Sequence, residues 1–226
     1  MKLPEGLRRN GLWTFFAVLF VLALAGQAVA GFIDHNNQQI ADGAATLSLG
    51  AYLTSSDFAT DVAENWQSEY LQFFLYIVMT VWLVQRGSPE SKPLDDAGTE
   101  SDQAQRIGPH AGPDSPRWAR RGGAWTWWYS NSLGLVMLVI FGGSWLAQSI
   151  AGRAAYNGEQ INQLQDPISW ASYLGSADFW SRTLQNWQSE FLAIASMAVL
   201  SIYLRQRGSP ESKPVGASHA ATSLEG

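Results

Sequence analysis

The stretch Asn65-Trp66-Gln67-Ser68-Glu69 lies just before an apolar run and recurs, letter for letter, as Asn186-Trp187-Gln188-Ser189-Glu190 before a second apolar run. The two copies are 121 residues apart (186 − 65 = 121). At this offset and without a gap, residues 10–93 and 131–214 share 33 identical residues in 84 aligned positions. A fixed period of this kind indicates internal repetition, so the sequence predicts a tandem duplication.

A longer string is duplicated after each apolar run. Arg86-Gly87-Ser88-Pro89-Glu90-Ser91-Lys92-Pro93, the first exit string, recurs as Arg207-Gly208-Ser209-Pro210-Glu211-Ser212-Lys213-Pro214, the second exit string. A Gly just past a helix end, followed by Pro, is a typical stop signal. Membrane insertion does not require Glu-Ser-Lys-Pro, so either the strings dock back onto the helices or they bind a partner. The candidate residues in them are Arg86, Glu90, Lys92, Arg207, Glu211 and Lys213.

The composition excludes several classes of function. The chain of 226 residues has a net charge of −5, which argues against nucleic acid as a partner. It has no Cys, and its three His residues show no ligand spacing, so the sequence predicts no metal site. We find neither a nucleophile–base constellation nor a phosphate-binding Gly loop. We therefore expect a protein that is not an enzyme and holds no cofactor.

Four apolar blocks predict four transmembrane helices, at about residues 11–31, 66–85, 132–152 and 187–205. About 20 apolar residues are needed to cross a bilayer. The first block has an alternative interpretation, because a basic start and Ala28-Val29-Ala30 resemble a cleavable signal peptide. Its counterpart at 132–152 lies in mid-chain, where no signal peptide can be, and this favours a membrane span for both.

The blocks divide the chain into repeats. The first repeat is predicted at 1–93 with an outer loop at 32–64, and the second at 125–214 with an outer loop at 153–186. Ser55-Ser56-Asp57 is typical of a helix start and predicts a helix from about Phe58. Polar residues predict a disordered linker at 94–124, ending in an interfacial Trp- and Arg-rich segment, and a disordered tail at 215–226.

The positive charges predict the orientation. Twelve of the 14 Lys and Arg residues lie in the N-terminus, the linker or the C-terminal region. By the positive-inside rule these segments are cytoplasmic in a bacterial inner membrane. Two spans per repeat return the chain to the same side. The prediction is an all-α integral membrane four-helix bundle, made of two tandem two-helix repeats related by a pseudo-twofold along the membrane normal.

Polar side chains at matched depth are the candidate intramembrane site. Gln27 and Glu69 lie about four residues, or about 6 Å, inside the outer boundary of the first pair of spans. Gln148 and Glu190 lie at the same depth in the second pair, and the strings that contain the two Glu residues start at Asn65 and Asn186. Because polar groups in hydrocarbon need partners, we expect Gln27 to bind Glu69 and Gln148 to bind Glu190.

Two roles stay open for these carboxyl groups. They either register the helices, or form a cation, proton or polar-substrate site from Glu69 and Glu190. Asn65, Glu69, Gln72 and Tyr76 share a helical face in the first half. The counterparts of Gln72 and Tyr76 are Ala193 and Met197, which weakens the case for a symmetric pore.

Aromatic residues predict contact with the lipid interface. Trp and Arg mixed before an apolar span are typical of an interfacial anchor, although a lipid-headgroup or partner site is the alternative. The predicted anchors are Trp66, Trp187, Trp125, Trp127 and Trp128.

On the strings Trp66 to Leu71, Trp187 to Leu192, Arg86 to Lys92 and Arg207 to Lys213, the chain resembles an uncharacterised bacterial family of four-helix membrane proteins, domain of unknown function 6766. The resemblance implies no activity, substrate or cofactor. We therefore expect a non-enzymatic structural or accessory membrane protein, whose partners are the lipid bilayer and either a second copy or another protein at the exit strings. The alternative is a small transporter or channel that uses Glu69 and Glu190.

Overall fold

The computed structural model describes residues 5–224, with side chains from residue 9 onward. This part of the chain consists of helices, turns and irregular segments and contains no β-strand. The helices are α1 Glu5–Ala41, α2 Leu49–Leu53, α3 Ser56–Met79, α4 Arg117–Arg121, α5 Gly123–Ser130, α6 Ser132–Asn162, α7 Trp170–Leu174 and α8 Ala177–Tyr203, with short 3-10 helices at Leu94–Asp96 and Gly108–His110.

The chain divides into two compact units. The first unit contains Met1–Val62 and Ile150–Ile168, and the second contains Ala63–Ser149 and Ser169–Gly226. The boundary falls inside α3 and α6, so each of these helices contributes to both units.

Two helices are long and apolar enough to cross a membrane. They are Arg9–Ala41 of α1, with a mean hydropathy of 2.3, and Ser132–Asn162, which is α6, with 1.8. No residue of the apolar window of α1 is buried, and 11% of that of α6 is, so neither is the enclosed core helix of a globular domain. Within residues 5–224, α3 and α8 are long enough to cross a membrane, with 24 and 27 residues, but they are not among the helices that are apolar enough. Two of the four predicted spans are therefore supported as spanning helices.

The helices differ in length from the predicted spans. α1 continues ten residues past the predicted end at residue 31, because polar residues of the expected outer loop stay helical as far as Ala41. α3 begins at Ser56, where the Ser55 hydroxyl accepts a hydrogen bond from Phe58 N at 3.3 Å, but it ends at Met79 rather than near residue 85. The backbone N–H groups of residues 80–83 bond back to the last turn of α3, whereas Val81 O and Gln85 N find partners in the following chain.

Contacts at matched positions recur in the first unit. Asn36 Nδ2 donates to Leu47 O at 3.0 Å, and Leu47 N donates to Asn36 Oδ1 at 2.8 Å. Asn157 and Ile168, 121 residues further on, make the same two hydrogen bonds at 3.0 and 2.9 Å. We call each arrangement an asparagine clamp. Each clamp ties the last turns of a long helix to the segment before the next short helix.

Helix ends also match at this offset. α1 and α6 end at Ala41 and Asn162, which are 121 residues apart (162 − 41 = 121). α2 and α7 begin at residues 49 and 170, and the serine before each of them caps it. Ser48 Oγ accepts from Ala51 N, and Ser169 Oγ accepts from Ser172 N. Such caps satisfy backbone donors that the first helical turn leaves open.

The predicted linker contains the two 3-10 helices and α4. It touches the end of the preceding helix, where Gly98 N donates to Val81 O at 2.7 Å. In the predicted tail, Ser223 N donates to Ser88 O at 3.2 Å and Thr222 Oγ1 accepts from Gly87 N at 2.9 Å. These contacts lie within residues 5–224, and disorder of the two segments in solution stays a prediction.

Candidate functional site

The predicted polar residues have different environments. Gln148 is 0% exposed, and neither atom of its amide has a hydrogen-bond partner within the described chain. The predicted hydrogen bond between Gln148 and Glu190 is therefore wrong. Glu190 is half-buried, and Glu69 is exposed. The predicted hydrogen bond between Gln27 and Glu69 stays a prediction.

The two copies of the central string meet through a different pair. Trp187 Nε1 donates to Gln67 Oε1 at 2.7 Å, and Gln67 is 0% exposed. Asn186 donates from Nδ2 to Arg182 O one turn earlier, whereas Asn65 is exposed. Gln67 was not among the predicted site residues, although an amide next to a Trp inside a duplicated string was a signal that could have indicated it.

Aromatic rings pack around this contact. The Trp187 ring lies 5.7 Å from that of Trp145, centroid to centroid, and 6.4 Å from that of Phe141. Trp145 Nε1 donates to Thr183 Oγ1 at 3.3 Å, so its polar edge is also bonded. Trp187 is half-buried here, while the four other predicted anchors (Trp66, Trp125, Trp127 and Trp128) are exposed.

The start of α8 contains an ion-pair cluster that the sequence analysis did not single out. Arg182 lies 3.2 Å from Asp178 (Nε to Oδ1) and 3.3 Å from Glu64 (Nη1 to Oε1). Burial opposes the charge of Arg182, but the two carboxylates outweigh it and raise the pKa of the guanidinium. Tyr173, 0% exposed, donates to Asp178 at 2.9 Å; burial and then this bond raise the pKa of its hydroxyl. The cluster fixes α7 to α8 and to the first half of α3.

Arginine and tryptophan stack in the segment before α6. The Trp118 and Trp125 rings lie 5.0 Å apart, and the Arg121 guanidinium carbon lies 5.6 and 5.8 Å from their centroids. This is cation–π geometry. Two indole rings with a guanidinium group stacked against them fit the role of interfacial anchor that was predicted for this segment.

The exit strings fold into the same turn in both copies. Ser91 Oγ accepts from Gln85 N at 2.7 Å, and Ser212 Oγ accepts from Gln206 N at 2.9 Å. The two lysine ammonium groups also bind carbonyl oxygens at matched positions. Lys92 Nζ donates to Gly98 O at 3.0 Å, and Lys213 Nζ donates to His219 O at 3.0 Å. Ser and Lys of the string therefore organise a turn.

Lys213 binds more than its own turn. It is 1% exposed and also donates to the carbonyl oxygens of Gly87 at 2.5 Å, Ser218 at 3.3 Å and Ala221 at 3.1 Å. Burial, and after it the charge of Arg205, lowers the pKa of its ammonium group. The lysine connects the second exit string to the first. These four carbonyl oxygens lie outside the helices, so docking of the second exit string onto the helices and binding of a partner both stay predictions.

The first unit has a polar cleft of about 490 Å³. His35 Nδ1 lies 3.7 Å from Asp57 Oδ2 at its wall. Among the described residues, no group of three His, Asp or Glu side chains is arranged to hold a metal ion. Amide side chains make up much of the remaining wall, which includes Gln38, Gln39, Asn162 and Gln163.

Comparison with known proteins identifies a family. The family model for a domain of unknown function (DUF6766) matches residues 4–224. The chain belongs to this family. No curated protein and no solved structure matches the chain. The resemblance to an uncharacterised family, which was based on the duplicated strings, is therefore confirmed.

Membership in DUF6766 implies no activity, so the function is inferred from the geometry of the structure. The family match covers both central strings and both exit strings. What the sequence could not indicate in this DUF6766 chain is which copy of each string is buried, because the letters are the same in both.

Proposed function

We propose that the protein is a non-enzymatic, multi-pass inner-membrane protein with a structural or accessory role, built from two copies of a two-helix unit that together supply four spans. The observation that carries the proposal is the pair of long helices α1 and α6, whose apolar windows are 0% and 11% buried. Helices that are apolar all round and exposed are stable in lipid and unfavourable in water.

The matched geometry supports two copies of one unit. Both asparagine clamps and both serine caps recur at the offset of the sequence repeat. α3 and α8 complete the hairpins in this proposal. Their polar first turns contain Asp57 and Asp178 and would lie at the outer surface, so only their later, apolar turns would enter the bilayer.

Extraction of membranes tests the proposal. The full-length chain, expressed in bacteria, is expected to stay in the membrane pellet after washing at alkaline pH, and its intact mass is expected to include residues 1–31. Release into the supernatant would contradict insertion. Loss of the first apolar block from the mature chain would show that the block is a signal peptide and would leave three spans at most.

The second candidate function is a small transporter or channel for a cation, proton or polar substrate. It is supported by the matched positions of Glu69 and Glu190 in the two copies and by the partial burial of Glu190. Liposomes containing the purified protein would then show Na⁺, K⁺ or H⁺ flux that Glu69→Gln and Glu190→Gln abolish and Glu159→Gln, in the first unit, leaves intact. Flux equal to that of empty liposomes, with correctly inserted protein, would exclude this candidate for those ions.

A further inference from the structure

A cavity lies between α3 and α8 in the second unit, next to the first exit string. Its volume is about 280 Å³. The α8 side is apolar, with Ala193, Ile194, Met197 and Ala198. The α3 side contributes Gln72, Phe73 and Tyr76, and Glu90 of the first exit string completes the lining.

The polar groups of this cavity are grouped around Glu90. The Tyr76 hydroxyl donates a hydrogen bond to a Glu90 carboxylate oxygen. Within the described chain, the ion pairs do not include Glu90, and its neighbour Lys92 pairs with Glu100 at 3.0 Å instead. The cavity therefore combines a half-buried carboxylate that has no cationic partner with two aromatic rings and an aliphatic wall.

The lining residues coincide with a break in the repeat. The five residues before Tyr70 are identical to the five before Phe191, and Leu71 matches Leu192. Residues 85–93 are also identical to residues 206–214. Between these strings, all six positions from 72 to 77 differ from their counterparts at 193–198. Every lining residue of α3 and α8 belongs to these two six-residue segments. Ala193 and Met197 of α8 are the counterparts of Gln72 and Tyr76 of α3, so of the two helices only α3 contributes polar groups to the cavity.

We propose that this cavity binds a small organic ammonium ion with an apolar body. The Glu90 carboxylate would bind the ammonium group, and the faces of Phe73 and Tyr76 would add cation–π attraction. Met197 and Ala193 would contact the apolar body. This site is separate from Glu69 and Glu190, and it does not depend on how many helices cross the membrane.

Ligand-observed NMR of the full-length protein in a non-ionic detergent tests the proposal, with benzylammonium as the probe. Benzyl alcohol and benzoate are probes of similar shape that are neutral and negatively charged. Because a hydrogen bond to a charged group contributes about 1.5–3 kcal/mol, benzylammonium is expected to bind about tenfold or more tightly than either analogue. Equal binding of benzyl alcohol would overturn the proposal.

Glu90→Gln keeps the shape of the side chain and removes its charge, and it is expected to weaken benzylammonium binding by about tenfold or more. Glu159→Gln removes an exposed carboxylate of the first unit, outside the cavity lining, and as the control it should change binding less than about twofold. Partition of the probe into detergent is the same for all variants and cancels in the comparison. Unchanged binding by Glu90→Gln would overturn the proposal.

Ala193→Leu tests the location independently, since the larger side chain would fill the cavity. It is expected to abolish binding of benzylammonium while the thermal unfolding midpoint stays close to that of the original protein. Full binding by a folded Ala193→Leu protein would overturn the proposed location. If this variant does not fold, Ala198→Leu fills the same cavity from the next turn of the lining and has the same two outcomes.

Discussion

Identical residues have different environments in the two copies, and Gln67 is the clearest example. It is 0% exposed and accepts a hydrogen bond from Trp187, whereas its counterpart Gln188 is exposed. Breaking a hydrogen bond between two buried groups destabilises the fold, because neither group can bond to water instead. The sequence identity of the copies therefore does not extend to the energetic role of each residue.

Gln67→Ala is expected to lower the free energy of unfolding by about 1–3 kcal/mol, because the Trp187 indole N–H loses its acceptor. Gln188→Ala, the matched control, should change it by less than about 0.5 kcal/mol. Thermal unfolding in mild detergent, followed by circular dichroism, measures both. Equal effects of the two substitutions would contradict the assignment of Gln67 as the buried copy.

The asparagine clamps give a second prediction for single residues. Asn36→Ala and Asn157→Ala each remove two hydrogen bonds to the backbone and are each expected to cost about 1–3 kcal/mol. Asn37→Ala is the control, because Asn37 is exposed and lies beside the first clamp. The same unfolding measurement applies. If only one of the two substitutions lowered the free energy of unfolding, the two clamps would not have equivalent roles.

At the scale of elements, a glycine of α1 lies directly against the tyrosine of α2. A Cβ added at Gly31 would collide with the hydroxyl of Tyr52 and lie 3.1 Å from its Cζ, while a Cβ at Gly26 would have no heavy atom within 4 Å. Tyr52 is itself buried and rests against Phe58, with ring centroids 5.5 Å apart. Gly31 thus allows the tyrosine to fill the space between the helices of the first unit.

Gly31→Ala is expected to destabilise the protein by about 1–3 kcal/mol, because Tyr52 must move. Gly26→Ala should be neutral or stabilise by up to about 1 kcal/mol, since alanine favours a helix. Gly31→Ala combined with Tyr52→Phe should recover part of the loss. If Gly31→Ala is as stable as Gly26→Ala in thermal unfolding, the packing of α1 on α2 described here is incorrect.

The second exit string is held by its lysine, and this is a prediction about a segment. Lys213→Met removes an ammonium group that binds four carbonyl oxygens. Faster amide hydrogen exchange is expected at residues 218–223 and at Gly87, with little change in α1. Lys92→Met, in the first copy, is expected to speed exchange at Gly98 and not in the C-terminal segment. Unchanged exchange at 218–223 would contradict the role of Lys213.

The start of α3 was predictable, and its end was not. Ser55-Ser56-Asp57 correctly indicated the start of α3, because a serine hydroxyl can cap the first turn. The apolar run to Val84 falsely suggested that the helix continues. Instead, Thr80 Oγ1 bonds back to Tyr76 O, Val81 O accepts from Gly98, and Gln85 N is satisfied by Ser91. The partners Gly98 and Ser91, from the following chain, satisfy Val81 O and Gln85 N in place of helical hydrogen bonds, and hydropathy does not indicate them.

For the whole molecule, the repeat indicated where several helix boundaries recur, because the ends of α1 and α6, the starts of α2 and α7, and the starts of α3 and α8 are each 121 residues apart. The buried pairs could not be deduced in the same way. Pairing of Gln148 with Glu190 was inferred from equal depth alone, but depth does not fix the direction in which a side chain points. The rotation of a helix about its axis decides that, and near-uniform apolar sequence constrains it weakly.

The most direct test of the central claim, a duplicated hairpin with four membrane spans, is the labelling of single cysteines in a chain that has none of its own. Thr46→Cys and Pro167→Cys lie in the two outer loops, and Ala104→Cys and Ser218→Cys lie in the linker and the tail. A membrane-impermeant maleimide added to spheroplasts should label the first two at once and the other two only after the membrane is opened. Labelling of Ala104→Cys from outside, or protection of only one outer loop, would contradict the account.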